Sequence, residues 1–374
     1  EFICGLKNEF DFLKLNFALR VSYMTWQQQL ADSISTPEQL AGHFDVDPIP
    51  LRAVASRYPL LITPHYFNLI EKPGDPIWRQ CVPDPGELAV DDLPEDSLNE
   101  QAFAPVPAVV HRYPDRALLM VSGVCAGYCR FCTRKSRVGT RGFCFSRAEI
   151  DAGITYISET SEIRDVILTG GDPLLLNDEY LGEILARIHQ IGHVEMIRIG
   201  SRVPVTLPDR ITPQLCRLLS RFQPLYLNTH FNHPRELTDE SAAACARLAD
   251  AGLPLGNQTV LLSGVNDSCG VMIELCRGLL KMRVRPYYLH HLDQARGTSH
   301  FRVPVERGLE IIAGMRGQVS GLGIPQYVID PPGGQGKVAL LPENLLEIGD
   351  SLRVQTCLLY TSPSPRDHSR YRVC

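Results

Sequence analysis

Short apolar runs alternate with amphipathic segments from residue 117 onward. The runs cover 117–121, 165–169, 195–199, 225–228, 255–261 and 284–288, and each has the length and bounding turn residues of a buried strand. The segments between them carry helix signals. Ser146 and Glu149 form a capping box ahead of Ile150, Ile154 and Ile157. Thr212-Pro213 opens a helix bearing Leu215, Leu218 and Leu219, and Gly252 closes the helix at 239–251. Six strand–helix repeats predict a parallel sheet with right-handed crossovers. Six units fall short of a closed eight-fold barrel, so the expected fold class is α/β, a partial (β/α)6 TIM-like barrel. Functional groups should gather at the carboxyl ends of its strands.

The chain before the beat reads differently. Thr36-Pro37-Glu38-Gln39 is a capped helix start with Leu40 and Phe44 on one face, and prolines crowd 58–64 and 73–94. This predicts an N-terminal helical wrap at 24–110 on a barrel at 111–330, followed by a segment at 331–350. Met24 opens a sensible helix at 24–33, so 1–23 reads as an extension foreign to the fold. The tail 351–374 contains Ser362-Pro-Ser-Pro-Arg-Asp-His-Ser-Arg-Tyr-Arg, has no apolar period, and is expected to be disordered or artefactual.

Composition narrows the function. The 374 residues are 44% hydrophobic and 21% charged with a formal net charge of −5, ordinary for a globular enzyme and without the basic footprint of a nucleic-acid binder. No apolar run approaches the ~18 residues of a membrane span. Twelve cysteines with no secretory signal point to a reducing, cytoplasmic setting in which thiols are metal ligands or core residues.

Three of those cysteines stand in Cys125-Ala-Gly-Tyr-Cys129-Arg-Phe-Cys132, directly after the first barrel run. Thiolates select iron–sulfur clusters, zinc or copper(I). Three ligands leave one iron of a cube open, or they form a zinc knuckle with a fourth ligand from elsewhere. Thr169-Gly170-Gly171-Asp172-Pro173 follows the second run and is either an ordinary strand-to-helix turn or a close backbone approach to a ligand. Asp330-Pro-Pro-Gly333-Gly334-Gln-Gly336-Lys337 lacks the Ser/Thr of a P-loop, because Val338 follows the lysine. Lys337 is therefore either a solvated lysine or an amine that binds pyridoxal phosphate (PLP) covalently.

Taken together, these motifs resemble the radical S-adenosylmethionine (SAM) superfamily, and within it the lysine 2,3-aminomutase family. The resemblance spans 58–337. It includes His111-Arg-Tyr-Pro-Asp-Arg116, Cys129-Arg-Phe-Cys-Thr-Arg134, Ile199-Gly-Ser-Arg202, Leu227-Asn-Thr-His230-Phe-Asn-His233-Pro, Asn257-Gln258-Thr-Val, Gly264-Val-Asn-Asp267 and Arg285-Pro-Tyr-Tyr288. It implies a [4Fe–4S] cluster on Cys125, Cys129 and Cys132, with SAM against Gly170, Gly171 and Asp172 and with His230 and Gln258 nearby. It implies PLP on Lys337, with Arg112, Tyr113 and Arg116 toward the phosphate. Arg134 would hold a substrate carboxylate, and Asp293 and Asp330 a distant ammonium.

The implied activity is radical 2,3-migration of an amino group, from L-lysine to β-lysine. The implied partners are a small amino acid and an electron donor such as flavodoxin or ferredoxin; a homo-oligomer is compatible with it. The competing readings are an arginine or glutamate aminomutase, a β-lysine-forming enzyme serving elongation factor P modification, and a non-catalytic iron–sulfur or zinc module. Zinc is not expected, because no cysteine cluster follows Lys337 to join Cys269.

Overall fold

The computed structural model describes residues 25–89, 92–334 and 336–341, and the backbone of 345–348, 351–355 and 361–365. Among the described residues, five short helices precede the sheet: α1 (Trp26–Ala31), α2 (Pro37–Ala41), α3 (Pro48–Ala55), α4 (Pro64–Phe67) and α5 (Pro76–Cys81). Each is capped by a side-chain oxygen, from Thr25, Thr36, Asp47, Thr63 and Asp75 in turn, and α2–α5 begin on proline. Proline's missing N–H costs nothing in the first turn, so a proline-rich segment can still build helices here.

The barrel sheet has nine strands in sequential order. These are β1 (Val109–Tyr113), β2 (Arg116–Ser122), β3 (Asp165–Gly170), β4 (Met196–Gly200), β5 (Leu225–Thr229), β6 (Leu255–Val260), β7 (Val284–His290), β8 (Gln326–Ile329) and β9 (Val338–Ala339). β2 to β8 run parallel, while β1 and β9 pair antiparallel at the two ends of the order. The sheet is a partial barrel that does not close, as the repeat count predicts. The crossovers are α6 (Arg147–Glu159), α7 (Asp178–His189), α8 (Val203–Thr206) with α9 (Pro213–Leu219), α10 (Asp239–Asp250), α11 (Cys269–Lys281) and α12 (Val305–Met315). The seventh parallel strand and both antiparallel edges add to the six predicted strands.

Strand alternation separates two environments. Ala117, Leu119, Val166, Leu168, Ile197, Ile199, Leu225 and Leu227 are buried against the helices. The intervening positions face the lumen and include Leu118, Ile167, Thr169, Arg198, Asn228 and Gln258. A closed eight-stranded barrel fills its centre with branched apolar side chains. Here the lumen carries charge and hydrogen-bonding groups around open space.

The N-terminal segment lies against the cysteine loop. Ile62 bridges both Ile34 and Gly127, and Tyr128 N donates to Leu61 O at 3.1 Å. Glu87, from the turn Pro85–Leu88, enters between Arg130 and Lys135. Arg130 Nη2 and Lys135 Nζ each donate to Glu87 Oε2 at 2.6 Å, and the three side chains are 0–5% exposed. Burial pushes the Lys135 amine down to about 8 against the opposing pull of Glu87. Burial alone would raise Glu87, but the two cations keep its carboxyl below the usual range.

β10 (Leu345–Ile348), β11 (Ser351–Gln355) and β12 (Thr361–Pro365) form a separate antiparallel sheet. The backbone at 351–355 pairs with that at 361–365, within the stretch expected to be a disordered or artefactual tail. The expected foreign extension at 1–23 lies outside the described residues, as do 356–360 and 366–374. Among the described residues no helix is long and apolar enough to cross a membrane.

Glu87→Ala would strand two buried cations. Its expected cost is about 3–5 kcal/mol of stability, read as a fall in the denaturation midpoint of the purified protein. The exposed ion pair Arg52–Glu38 is the control, with little change in the midpoint expected when it is broken, because solvent screens it.

Candidate active site

The cysteine loop leaves the carboxyl end of β2 and folds over the end of β3. Gly171 N donates to Ser122 O at 2.6 Å and Asp172 N to Val124 O at 2.7 Å. Gly170 has φ +117°, and a Cβ on Gly170 or Gly171 would collide with the backbone of Ser122 or Val124. The two glycines let the ends of β2 and β3 touch, which seats the residues just before Cys125. Asp172 is turned inward. Its carboxylate accepts from Ser201 Oγ at 2.8 Å, Arg202 N at 2.8 Å and Leu174 N at 3.1 Å, so it ties the ends of β3 and β4 together. Burial raises its carboxyl despite those donors.

A cavity of about 330 Å³ is bordered by Cys125, Cys129 and Cys132, with Tyr58 and Pro59 of the N-terminal segment. Arg202 Nη1 donates to Cys129 Sγ at 2.7 Å, and Arg134 N to Cys132 Sγ at 3.3 Å. Burial, followed by the charge of Asp172 and the neighbouring sulfurs, pushes the Cys125 thiol up; burial and Cys129 push Cys132 up to about 11. Thiolates crowded in this way need cations beside them, and a polynuclear iron cluster supplies them. A cube takes each thiolate on a different iron, and three thiols on one loop, with no fourth cysteine beside them among the described residues of this cavity, fit that donor set.

Arg202 is the hub beneath this loop. Its Nη2 reaches Tyr66 Oη at 3.0 Å, Gln80 Oε1 at 2.7 Å and Glu236 Oε1 at 2.8 Å, and its Nε reaches the His230 carbonyl at 3.2 Å. The His230 ring lies 5.5 Å from that of Phe131, and its Nε2 is buried without a hydrogen-bond partner. Burial first, then Arg202, hold this imidazole far below its usual range, and therefore neutral.

Below the loop, an open lumen cavity of about 1330 Å³ brings together Arg112, Tyr113, Arg116, Arg134, Gln258 and Lys337. His230 sits outside that lining. Lys337 follows the end of β8, across β1 from the wrap. Its N–H donates to Tyr113 Oη at 2.9 Å, and its Nζ to Asp330 Oδ2 at 2.8 Å. Tyr113 thus holds the backbone of Lys337, while the Arg116 guanidinium lies 4.7 Å over the Tyr113 ring. Arg112 Nη1 is 3.7 Å from Asp330 Oδ1.

Asp293 and Asp330 share an adjoining cavity of about 620 Å³ with Asp96, Ser97 and Asn99. Burial, then repulsion from Asp330, pushes the Asp293 carboxyl up to about 7, against the pull of Lys337 and Arg112. The two acids line one cavity, and the cations beside Asp330 are Lys337 and, farther off, Arg112.

Several lumen residues had no role assigned from sequence. Glu100 accepts from Arg134 Nε at 2.9 Å and Arg137 Nη2 at 2.7 Å. Burial would raise its carboxyl, but the two guanidiniums hold it at about 2. Tyr288 and His290 point inward from β7. Burial, then Tyr287, raises the Tyr288 phenol to about 12, and burial, then Lys337, lowers His290 to about 3. Arg198, Tyr288 and His290 sit at alternate positions of apolar strands, a signal that the period-two pattern carries. Glu100 carries no such signal.

Comparison with known proteins agrees with this geometry. The family model of the radical SAM superfamily matches residues 119–276, and that of lysine-2,3-aminomutase matches 312–358. The second match runs past the boundary at 351 expected for a foreign tail. L-lysine 2,3-aminomutase of Clostridium subterminale is 48% identical over 328 residues, covering 86% of this chain and 79% of that protein. The enzyme of the same name from Fusobacterium nucleatum is 46% identical over 327 residues, covering 86% and 77%. Glutamate 2,3-aminomutase of Clostridioides difficile is 44% identical over 301 residues, covering 80% and 71%.

Gly171→Ala should force β3 off the Val124 backbone and displace Cys125. The expected outcome is a folded chain with reduced iron per protein after anaerobic reconstitution, measured by iron and sulfide analysis. Gly192→Ala is the control, since nothing lies within 4 Å of a Cβ there.

Proposed function

The chain belongs to the lysine 2,3-aminomutase family of the radical SAM superfamily, and from that footing we propose that it converts L-lysine to β-lysine. The family implies a [4Fe–4S] cluster and SAM; with PLP, these cofactors supply a carbon radical and a carrier for the migrating amine. Cys125, Cys129 and Cys132 would hold the cluster. The turn of Gly170, Gly171 and Asp172, with Gln258 and His230, would border SAM. Lys337 would carry PLP, its backbone fixed by Tyr113 and its phosphate side facing Arg112 and Arg116. The electron would come from a small reductant such as flavodoxin or ferredoxin, and the cysteine content suits a cytoplasmic setting.

The substrate reading rests on one observation. Two half-buried carboxylates, Asp293 and Asp330, line one cavity beside Lys337, while Arg134 lines the adjoining lumen. An amino acid with an anionic head and a cationic end matches that polarity. A guanidinium recognises the carboxylate, and the acid pair needs a cation to remain ionised. Glutamate would bring a third carboxylate to the acid pair and be repelled. Arg134 and the acid pair would orient the substrate at its two ends within the lumen.

Anaerobic incubation with reconstituted cluster, SAM, PLP, reductant and each free amino acid tests this reading. β-Lysine is expected; β-glutamate without β-lysine would overturn the substrate, and β-arginine would redirect it. Lys337→Ala should abolish the visible absorbance of bound PLP.

The acid pair also predicts a pH dependence. Asp293 takes a proton as pH falls through about 7, and a ligand ammonium favours its ionised form. Binding of the cation should therefore release a proton below about pH 7, weakening affinity by up to about tenfold per unit of falling pH. Calorimetry in buffers of different ionisation heat reads that proton, and Asp293→Asn should remove it.

A further inference from the structure

Glu100 reaches the lumen from outside the barrel. It begins the single turn Glu100–Phe103 of the N-terminal segment, yet its side chain is only 4% exposed and borders the cavity that holds Arg134 and Lys337. Its partners are unusually specific. Arg134 turns its side edge, Nε and Nη2, onto the two Glu100 oxygens in a bidentate clasp, and Arg137 adds Nη2 at 2.7 Å.

A guanidinium has a second bidentate edge, formed by its two terminal nitrogens. On Arg134, Nη1 meets only Thr169 Oγ1 and Gly170 O, both at 3.3 Å, beyond the usual N–H···O range. That end edge lies at the carboxyl end of β3, where a ligand in the lumen would meet it. Arg137, which shares Glu100 with Arg134, also stands 3.9 Å from Asp96, so Glu100 is left principally to Arg134. An arginine side chain has many rotamers to lose when it is fixed. A clasp that removes this freedom before the ligand arrives leaves less to be lost on binding.

We propose that Glu100 is a positioning residue that presents the end edge of Arg134 to the substrate α-carboxylate, so that the N-terminal wrap completes the substrate site. The proposal rests on the assignment of Arg134 as the carboxylate holder. It gives Glu100 no contact with the substrate and no part in the chemistry.

The test separates the two assignments. L-Lysine and cadaverine are titrated into PLP-loaded enzyme without SAM or reductant. Cadaverine is the same five-carbon diamine without the carboxylate. Glu100→Gln should weaken lysine on the order of tenfold while cadaverine stays within about twofold. Glu100→Asp, which keeps the charge, should recover part of the lysine affinity and provides the readout if the glutamine variant folds poorly. Arg134→Lys should weaken lysine selectively too. Lysine affinity that is unchanged or tighter in Glu100→Gln, or an equal loss for both ligands, overturns the role of Glu100. Unchanged lysine affinity in Arg134→Lys overturns the assignment of Arg134 itself.

Discussion

The buried contact of Glu87 with Arg130 and Lys135 is the constraint on which the site depends. It fixes the cysteine loop from the outside, by a carboxylate that belongs to a different part of the chain. Removing three charged groups from water is costly, and only their mutual pairing with backbone acceptors offsets that cost. Lys135 Nζ also donates to Arg130 O and Gly297 O at 2.8 Å, and Arg130 Nη1 to Pro59 O at 2.8 Å. The cluster therefore joins the wrap, the cysteine loop and the turn after β7 at one point. The loop between Cys125 and Cys132 has few backbone pairings of its own. Its shape is imposed by these neighbours.

On the inner side, the same loop is shaped by the Gly170–Gly171 turn and by Arg202. The turn sets where the loop starts, and Arg202 sets the position of Cys129. Sulfur placement is thus decided by three independent supports. A displacement of one is resisted by the other two. This arrangement suits a cluster whose ligands must stay fixed while electrons enter and leave.

Much of this was legible in the chain. Periodicity located six parallel strands because most of their buried residues are apolar, Asn257 and Thr259 of β6 being exceptions. β1 was obscured by His111, which pairs with Tyr156, and by Arg112 and Tyr113, which line the lumen rather than the core. β8 and β9 are four and two residues long, too short for a period to register. The thiols, the Gly-Gly turn and Lys337 were visible because local spacing carries their chemistry. Glu87 and Glu100 were not, since their partners lie 43 and 34 residues away and nothing in the intervening sequence links them. The role of Gly170 and Gly171 was also visible only in part. Their small size serves contact between two strand ends, where the motif alone pointed to a ligand.

The pairing of Lys337 with Asp330 has a consequence for assembly. One carboxylate oxygen cannot serve two ammonium groups equally well, and here that oxygen is occupied by the chain's own lysine. A diamine arriving first must compete with a tethered rival whose local concentration is set by seven residues of chain. Were Lys337 paired elsewhere, Oδ2 of Asp330 would come free, and Arg112, 3.7 Å from Oδ1, would remain as its neighbouring cation.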